Sequence, residues 1–244
     1  MVVCLVKNNL SKGTLISNIN LMDSIVLSFI VASIVVVAVY FYLSRTSSSP
    51  SSSVSIQGTI ADGKKQVTSK LAVPRSFNQK EGATFSYTCW IMVNDFAYKY
   101  GSQKVIFTKG PDDLSSMCPA LFLDGTTNTL IMKMDTFGGT EVIPISNIPA
   151  KKWIHVAIVV DQDSVDVYIN GVLHTHHSLS QLPKQNNGTV HIGLNGGFDG
   201  KISGLQYYSY FMTPAQVSAS MSSAPQTSDP LPQYFDAKWY TPNE

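Results

Sequence analysis

Cleaving a glycosidic bond takes two carboxyl groups facing each other across it, one giving a proton and one attacking or activating water. The chain holds three glutamates, Glu81, Glu141 and Glu244, and none has an acidic residue two or four positions away. No glutamate can therefore form such a pair with a neighbour on its own strand, and the sequence is not expected to be an enzyme of that kind. Aspartates gather at Asp161, Asp163 and Asp166. Their oxygens are candidate calcium ligands, and calcium is the one cofactor the sequence offers. Asp161 and Asp163 also flank a turn, where aspartate bonds its own backbone. His174, His176 and His177 follow. In a strand the first two share a face and the third lies opposite, and two imidazoles without a third ligand do not make a zinc site. His155 alternates with Trp153 and Ala157 and has no acid or nucleophile near it in sequence. It reads as a partly buried structural histidine rather than a catalytic one.

Recognition offers more than catalysis. Asn195 and Asp199 sit in a glycine-rich loop, with Tyr207 and Tyr208 shortly after. Amide, carboxylate and aromatic groups side by side can hold a sugar, so these four are the candidate ligand-binding residues. Asn187-Gly188-Thr189 is a glycosylation sequon, which makes Asn187 a candidate site in a luminal or exterior setting. The last 23 residues, 222–244, combine four prolines with Tyr234, Phe235, Trp239 and Tyr240, which are candidate anchors on this domain or on a partner. A formal charge of +1 with no basic run excludes the phosphate contacts that nucleic-acid binding requires.

The elements that must position these residues are strands. In Phe85 to Val93 the odd positions are apolar and the even ones mix Ser and Thr with Trp90 and Met92, so one face is core and the other partly covered. Trp153 to Asp161 is mostly apolar on both faces, which predicts a central strand. Trp153 itself is expected to cap the core with its indole N–H near a partner. Asn170-Gly171 predicts a two-residue hairpin turn with positive φ angles. Further strands are expected around KVIFTK, ALFL, TVHIGL and KISGLQYYSY. Cys89 falls in an alternating apolar run and reads as a buried thiol, with a bridge to Cys118 left open and Cys4 far away in sequence.

Ahead of this β region, Ile25 to Leu43 is uncharged and apolar between Asp23 and Arg45. Nineteen helical residues span about 28 Å, close to the hydrocarbon thickness of a bilayer. The expected organisation is an N-terminal segment at 1–22 with helical spacing, a transmembrane helix at 23–45, a serine-rich linker at 46–54, one β domain at 55–221 and the tail at 222–244. Lys7 and Lys12 precede the span and Arg45 follows it, which leans towards an inside N-terminus and an outside β domain.

The order of Phe85 with Trp90, Trp153-Ile154-His155-Val156-Ala157, Tyr168-Ile169-Asn170-Gly171, Ile192-Gly193 and Phe198-Asp199-Gly200-Lys201-Ile202 resembles laminin-G-like, concanavalin-like domains. Phe211 to Val217 is similar to the helical turn that closes many of them. The resemblance implies an all-β fold, a two-sheet antiparallel jelly-roll sandwich, shared by lectins, glycan hydrolases, pentraxins and adhesion modules. Fold of this kind does not settle function. Membrane-anchored domains of this type also resemble virion proteins of large DNA viruses, either minor capsid or membrane components. The expectation is a non-enzymatic, single-pass interaction protein whose partners are the bilayer and neighbouring proteins, capsid proteins among them, linking an inner membrane to a shell. The alternative is a membrane-anchored lectin-like module that binds glycan.

Overall fold

The computed structural model describes residues 26, 28–40, 53–71, 73, 76, 78–79 and 82–225. The chain divides into two units, Met1–Pro50 and Ser51–Glu244. In the first, residues 28–40 form helix α1 with its apolar side chains exposed. Thirteen helical residues reach about 20 Å, and among the described residues no helix is long and apolar enough to cross a membrane. Both ends of the expected span lie outside the described residues, as do the N-terminal segment, Cys4 and most of the linker.

The second unit is a β-sandwich. Its strands are β1 (Ser53–Gln57), β2 (Ala61–Asp62), β3 (Val67–Thr68), β4 (Asn78–Gln79), β5 (Gly82–Asp95), β6 (Lys104–Lys109), β7 (Ala120–Leu123), β8 (Leu130–Thr136), β9 (Gly139–Ile145), β10 (Trp153–Asp161), β11 (Ser164–Ile169), β12 (Val172–Ser178), β13 (Val190–Ile192) and β14 (Asp199–Tyr208). Strand β1 thus starts inside the stretch expected to be linker. The larger sheet runs β1-β14-β5-β10-β11-β12, with β2 on β14 and β4 on β5, and the smaller runs β3-β13-β6-β7-β8-β9. Every pairing between these strands is antiparallel. The two-sheet antiparallel jelly roll is the fold expected.

Local chemistry explains the elements. The odd residues Phe85, Tyr87, Cys89, Ile91 and Val93 of β5 all enter the core. Strand β10 lies between β5 and β11 and is buried from Ile154 to Val160, as its two apolar faces predict. Asn170 (φ 50°) and Gly171 (φ 77°) turn β11 into β12. After β14, Pro214–Ser220 forms helix α2, started by Pro214 and a reciprocal cap in which Thr213 and Gln216 bond each other's backbone N–H. Its Val217 packs on Ala157, Val159 and Tyr168, on the outer face of the larger sheet.

Both described cysteines are free and buried, which settles the bridge left open by the sequence. Burial pushes the Cys89 and Cys118 thiols up to about 12. At pH 8 the thiolate fraction is then about one in ten thousand. Neither cysteine should react with iodoacetamide in the native chain, and both should react once it is unfolded. Peptide mass analysis would show either outcome, and rapid native labelling at Cys89 or Cys118 would contradict this packing.

Candidate functional site

Three loops meet at one end of the larger sheet. The turn after β2, the loop after β5 and the glycine-rich segment before β14 are brought together by cross-strand register, with Asp199 opposite Asp95 and Lys201 opposite Asp62. Their backbones interlock: Gly63 N donates to Gly200 O at 2.8 Å and Phe198 N donates to Gly63 O at 3.2 Å. At Gly197 (φ 45°) a Cβ would lie 2.0 Å from Gly63 O, so only glycine lets the two strands of backbone approach this closely.

Between these loops opens a recess of about 280 Å³ lined by Ile60, Asp62, Lys64, Asn94, Asp199 and Lys201. Lys64 Nζ pairs with Asp199 Oδ2 at 3.0 Å, and Asn94 Nδ2 donates to Asp199 Oδ1 at 3.4 Å. The Asp199 carboxylate raises the Lys64 ammonium above its ordinary value. Tyr98 stands beside Lys64, outside the lining of the recess. Its hydroxyl donates to Gly196 O at 3.0 Å, Lys64 Nζ lies 4.8 Å from its ring centroid, and Lys99 Nζ lies 5.6 Å from it. Lys99 also bonds Asn195 O. Tyr100, two residues further along the loop, is 71% exposed.

The loop bearing Tyr98 is fixed from below by Lys104. This side chain is fully buried, and its ammonium donates to Phe96 O at 3.1 Å and Asp124 O at 2.9 Å. Burial lowers its pKa, while Asp124 and Asp95 act the other way. Lys109, at the other end of β6, is likewise buried and donates to Asn186 O at 3.0 Å and to Gly188 O. The sequence reads β6 as a plain strand, but its two end ammoniums organise loops.

The structure divides the expected ligand-binding residues. Asn195 and Asp199 lie at the recess end, although the Asn195 side chain is exposed rather than lining the recess. Tyr208 is on the outer face near Tyr210, at the far end of β14. Tyr207 is a correction. It is 2% exposed and packs in the core at 5.0 Å from the Tyr87 ring, because a bulge between Ser203 and Gln206, with Gly204 at φ 59°, reverses the alternation of β14.

The calcium candidates are at the opposite end. Asp161 faces Thr84 across β5, Asp163 is exposed in the following turn, and Asp166 bonds His176 Nδ1 at 2.6 Å. His177 points inward to Glu141 at 3.2 Å, and a register shift in β11–β12 sets His174 apart from His176. Among the described residues no three His, Cys, Asp or Glu side chains converge. Asn187 is exposed, and Tyr234, Phe235, Trp239 and Tyr240 lie outside the described residues. His155 is 1% exposed; its Nε2 meets Ser220 Oγ at 3.2 Å, and its Nδ1 has no partner. The expectation of a partner for the Trp153 indole N–H is also corrected, since it is buried without one.

Nothing local marks Lys64, Asn94, Tyr98 or Lys99 as site residues, because only strand register brings them to Asp199. The arrangement provides an acceptor held by two donors, lysines in the lining and an aromatic ring beside one of them. It is therefore suited to holding a polar molecule.

Residues 62–218 match the family model Laminin_G_3, described as the concanavalin A-like lectin/glucanases superfamily. Comparison with curated proteins finds no match. Among solved structures, the ligand-binding domain of botulinum neurotoxin serotype D in complex with N-acetylneuraminic acid superposes with a TM-score of 0.56 at 11% identity, over 71% of this chain and 46% of that one. A botulinum neurotoxin type C structure, described as entering cells through two ganglioside molecules, gives 0.51 at 14% identity, over 71% of this chain and 46% of that one. The chain thus spans just under half of these neighbours, and at such identities the likeness is one of fold.

Proposed function

The chain belongs to the concanavalin A-like lectin/glucanases superfamily, and from that premise we propose that it is a non-enzymatic recognition module binding glycan at the Asp199 recess. The observation that carries this reading is the meeting of the Asp62 and Asp199 carboxylates, the Asn94 amide and two lysines, Lys64 and Lys201, in one solvent-open hollow, with the Tyr98 ring beside Lys64. Sugar hydroxyls take up such donors and acceptors, and a pyranose face stacks on an aromatic ring. The fold neighbours that bind N-acetylneuraminic acid and gangliosides support it. Residues 25–43 cross a bilayer in this proposal, and the domain is displayed on the far side, where Asn187 carries a glycan.

The test is a glycan array probed with the full chain in detergent, with and without calcium. Asp199→Asn and Tyr98→Ala should each weaken the best signal about tenfold or more, the expected cost of one charged hydrogen bond or stacking contact. No binding to any glycan in either condition overturns the reading.

A structural tether between an inner membrane and a capsid shell is the second reading. The apolar tip of the β11–β12 hairpin supports it, with Val172 69% and Leu173 48% exposed. On this reading capsid proteins are the partners and the domain faces the cytosolic side. Protease protection separates the two, together with endoglycosidase sensitivity lost in Asn187→Gln.

A further inference from the structure

The end of the larger sheet that carries the recess gathers lysines from four separate stretches of chain. Lys64 and Lys65 stand in the turn after β2, Lys99 in the loop after β5, Lys151 and Lys152 just ahead of β10, and Lys201 near the start of β14. All six are exposed. Register brings them to one end: Lys201 lies opposite Met92, Met92 lies opposite Trp153, and Lys151 N donates to Val93 O at 2.7 Å. The stretches are far apart in sequence, so no basic run announces the cluster, and a formal charge of +1 hides it.

The aspartates at this end are engaged by the loops themselves. Asp62 Oδ1 accepts from Lys64 N at 3.0 Å, and Asp95 Oδ1 accepts from Ala97 N at 2.8 Å. Asp124 Oδ2 takes the backbone N–H and the hydroxyl of both Thr126 and Thr127, and Asp199 holds Lys64 and Asn94. Among the described residues, Lys64 is the one lysine of the six in an ion pair. Lys99 bonds a neutral carbonyl, Asn195 O. Acids collect instead at the far end of the sandwich, with Asp161 and Asp163 at the β10–β11 turn, Glu141 near the start of β9 and Asp112 and Asp113 after β6. A domain divided in this way draws anions towards its recess end.

Inside the recess both signs are present. Lys201 lines it beside Asp62, Asn94 and Asp199, and no carboxylate is paired with its ammonium among the described residues. A neutral sugar would bond the carboxylates and the amide but leave that ammonium unanswered. A ligand charged along its whole length, such as a nucleic acid, would press like charge against Asp62 and Asp199. Hydroxyls on one part of a molecule and an anionic group on another satisfy both sides of the hollow.

We propose that the recess takes an acidic glycan, one bearing a carboxylate or a sulfate, with Lys201 meeting the anionic group and the surrounding lysines drawing it in. This rests on the glycan-binding reading above and narrows it.

The test is titration of the full chain in detergent against matched glycans: one ending in a carboxylate sugar, one ending in a sulfated sugar, and the neutral counterpart of each. An acidic member should bind about tenfold or more tightly than its neutral counterpart, as for one charged hydrogen bond, and added salt should narrow the gap. Lys201→Gln should remove the preference and Lys201→Arg should keep it. Whichever acidic member binds more tightly identifies the anionic group. Equal binding of acidic and neutral members, still weakened by Asp199→Asn, overturns this inference and leaves the recess as a site for neutral glycan. A preference untouched by Lys201→Gln overturns the role given to that residue, and an oligonucleotide bound as tightly as the acidic glycan would make the lysines a general anion patch. Absence of binding by every glycan overturns both readings.

Discussion

Phe198→Ala should destabilise the sandwich by about 3–5 kcal/mol, the range for truncating a buried aromatic. The Phe198 ring is 0% exposed. It lies against two glycines: a Cβ built on Gly63 falls 2.6 Å from its Cε1, and one on Gly200 falls 2.5 Å from its Cε2. The surrounding backbone is therefore shaped to the ring and cannot close over the space left behind. For a domain of this size the melting temperature should fall by about 10 °C. Because Phe198 N also bonds Gly63 O, the turn that carries Lys64 loses its support and the recess loses its shape. Glycan affinity should then fall at temperatures where the variant is still folded. A variant with unchanged melting temperature would mean that the ring does not hold these loops.

His155 gives the second large effect, and it concerns pH. Burial pulls its pKa from the ordinary 6.5 down to about 4. The folded chain therefore keeps the imidazole neutral at pH values where the unfolded chain protonates it. With the folded value lower, the unfolded state binds the extra proton, and stability declines as pH drops. The contribution is complete above about pH 6.5 and is lost progressively down to about pH 4, amounting to about 3 kcal/mol. Urea unfolding at pH 7, 5.5 and 4 should show this decline, and His155→Gln should flatten it over the same interval. An equally steep decline in the variant would assign the proton to another group.

How much of this could be read from the chain beforehand depended on the range of the interactions. The faces of β5 and β10 follow from side-chain alternation, and the Asn170-Gly171 turn follows from the two φ angles it requires, so each is written within a few residues. Tyr207 shows where that logic stops. Counted in twos from Ile202 it points outward, but Gly204 inserts a bulge and turns it into the core. The recess is further from view, since Asp62, Asn94 and Asp199 meet only after β2, β5 and β14 have paired in register. Lys104 is legible as a strand residue, yet its burial depends on carbonyls from two separate loops. The unpaired Trp153 indole reverses expectation for the same reason: what lies over a sheet face is decided by chain distant in sequence.

Strand β14 bears Asp199 at its first residue and, at its last, Tyr208 opposite Ser53, where β1 begins. A pull entering the domain through Ser53 and leaving through a ligand held at Asp199 therefore runs lengthwise along β1 and β14, over about 30 Å. Antiparallel strands loaded along their axes share the force among all their hydrogen bonds at once, whereas strands peeled from one end release them singly. The sandwich is thus oriented to carry tension along this line in shear rather than by peeling.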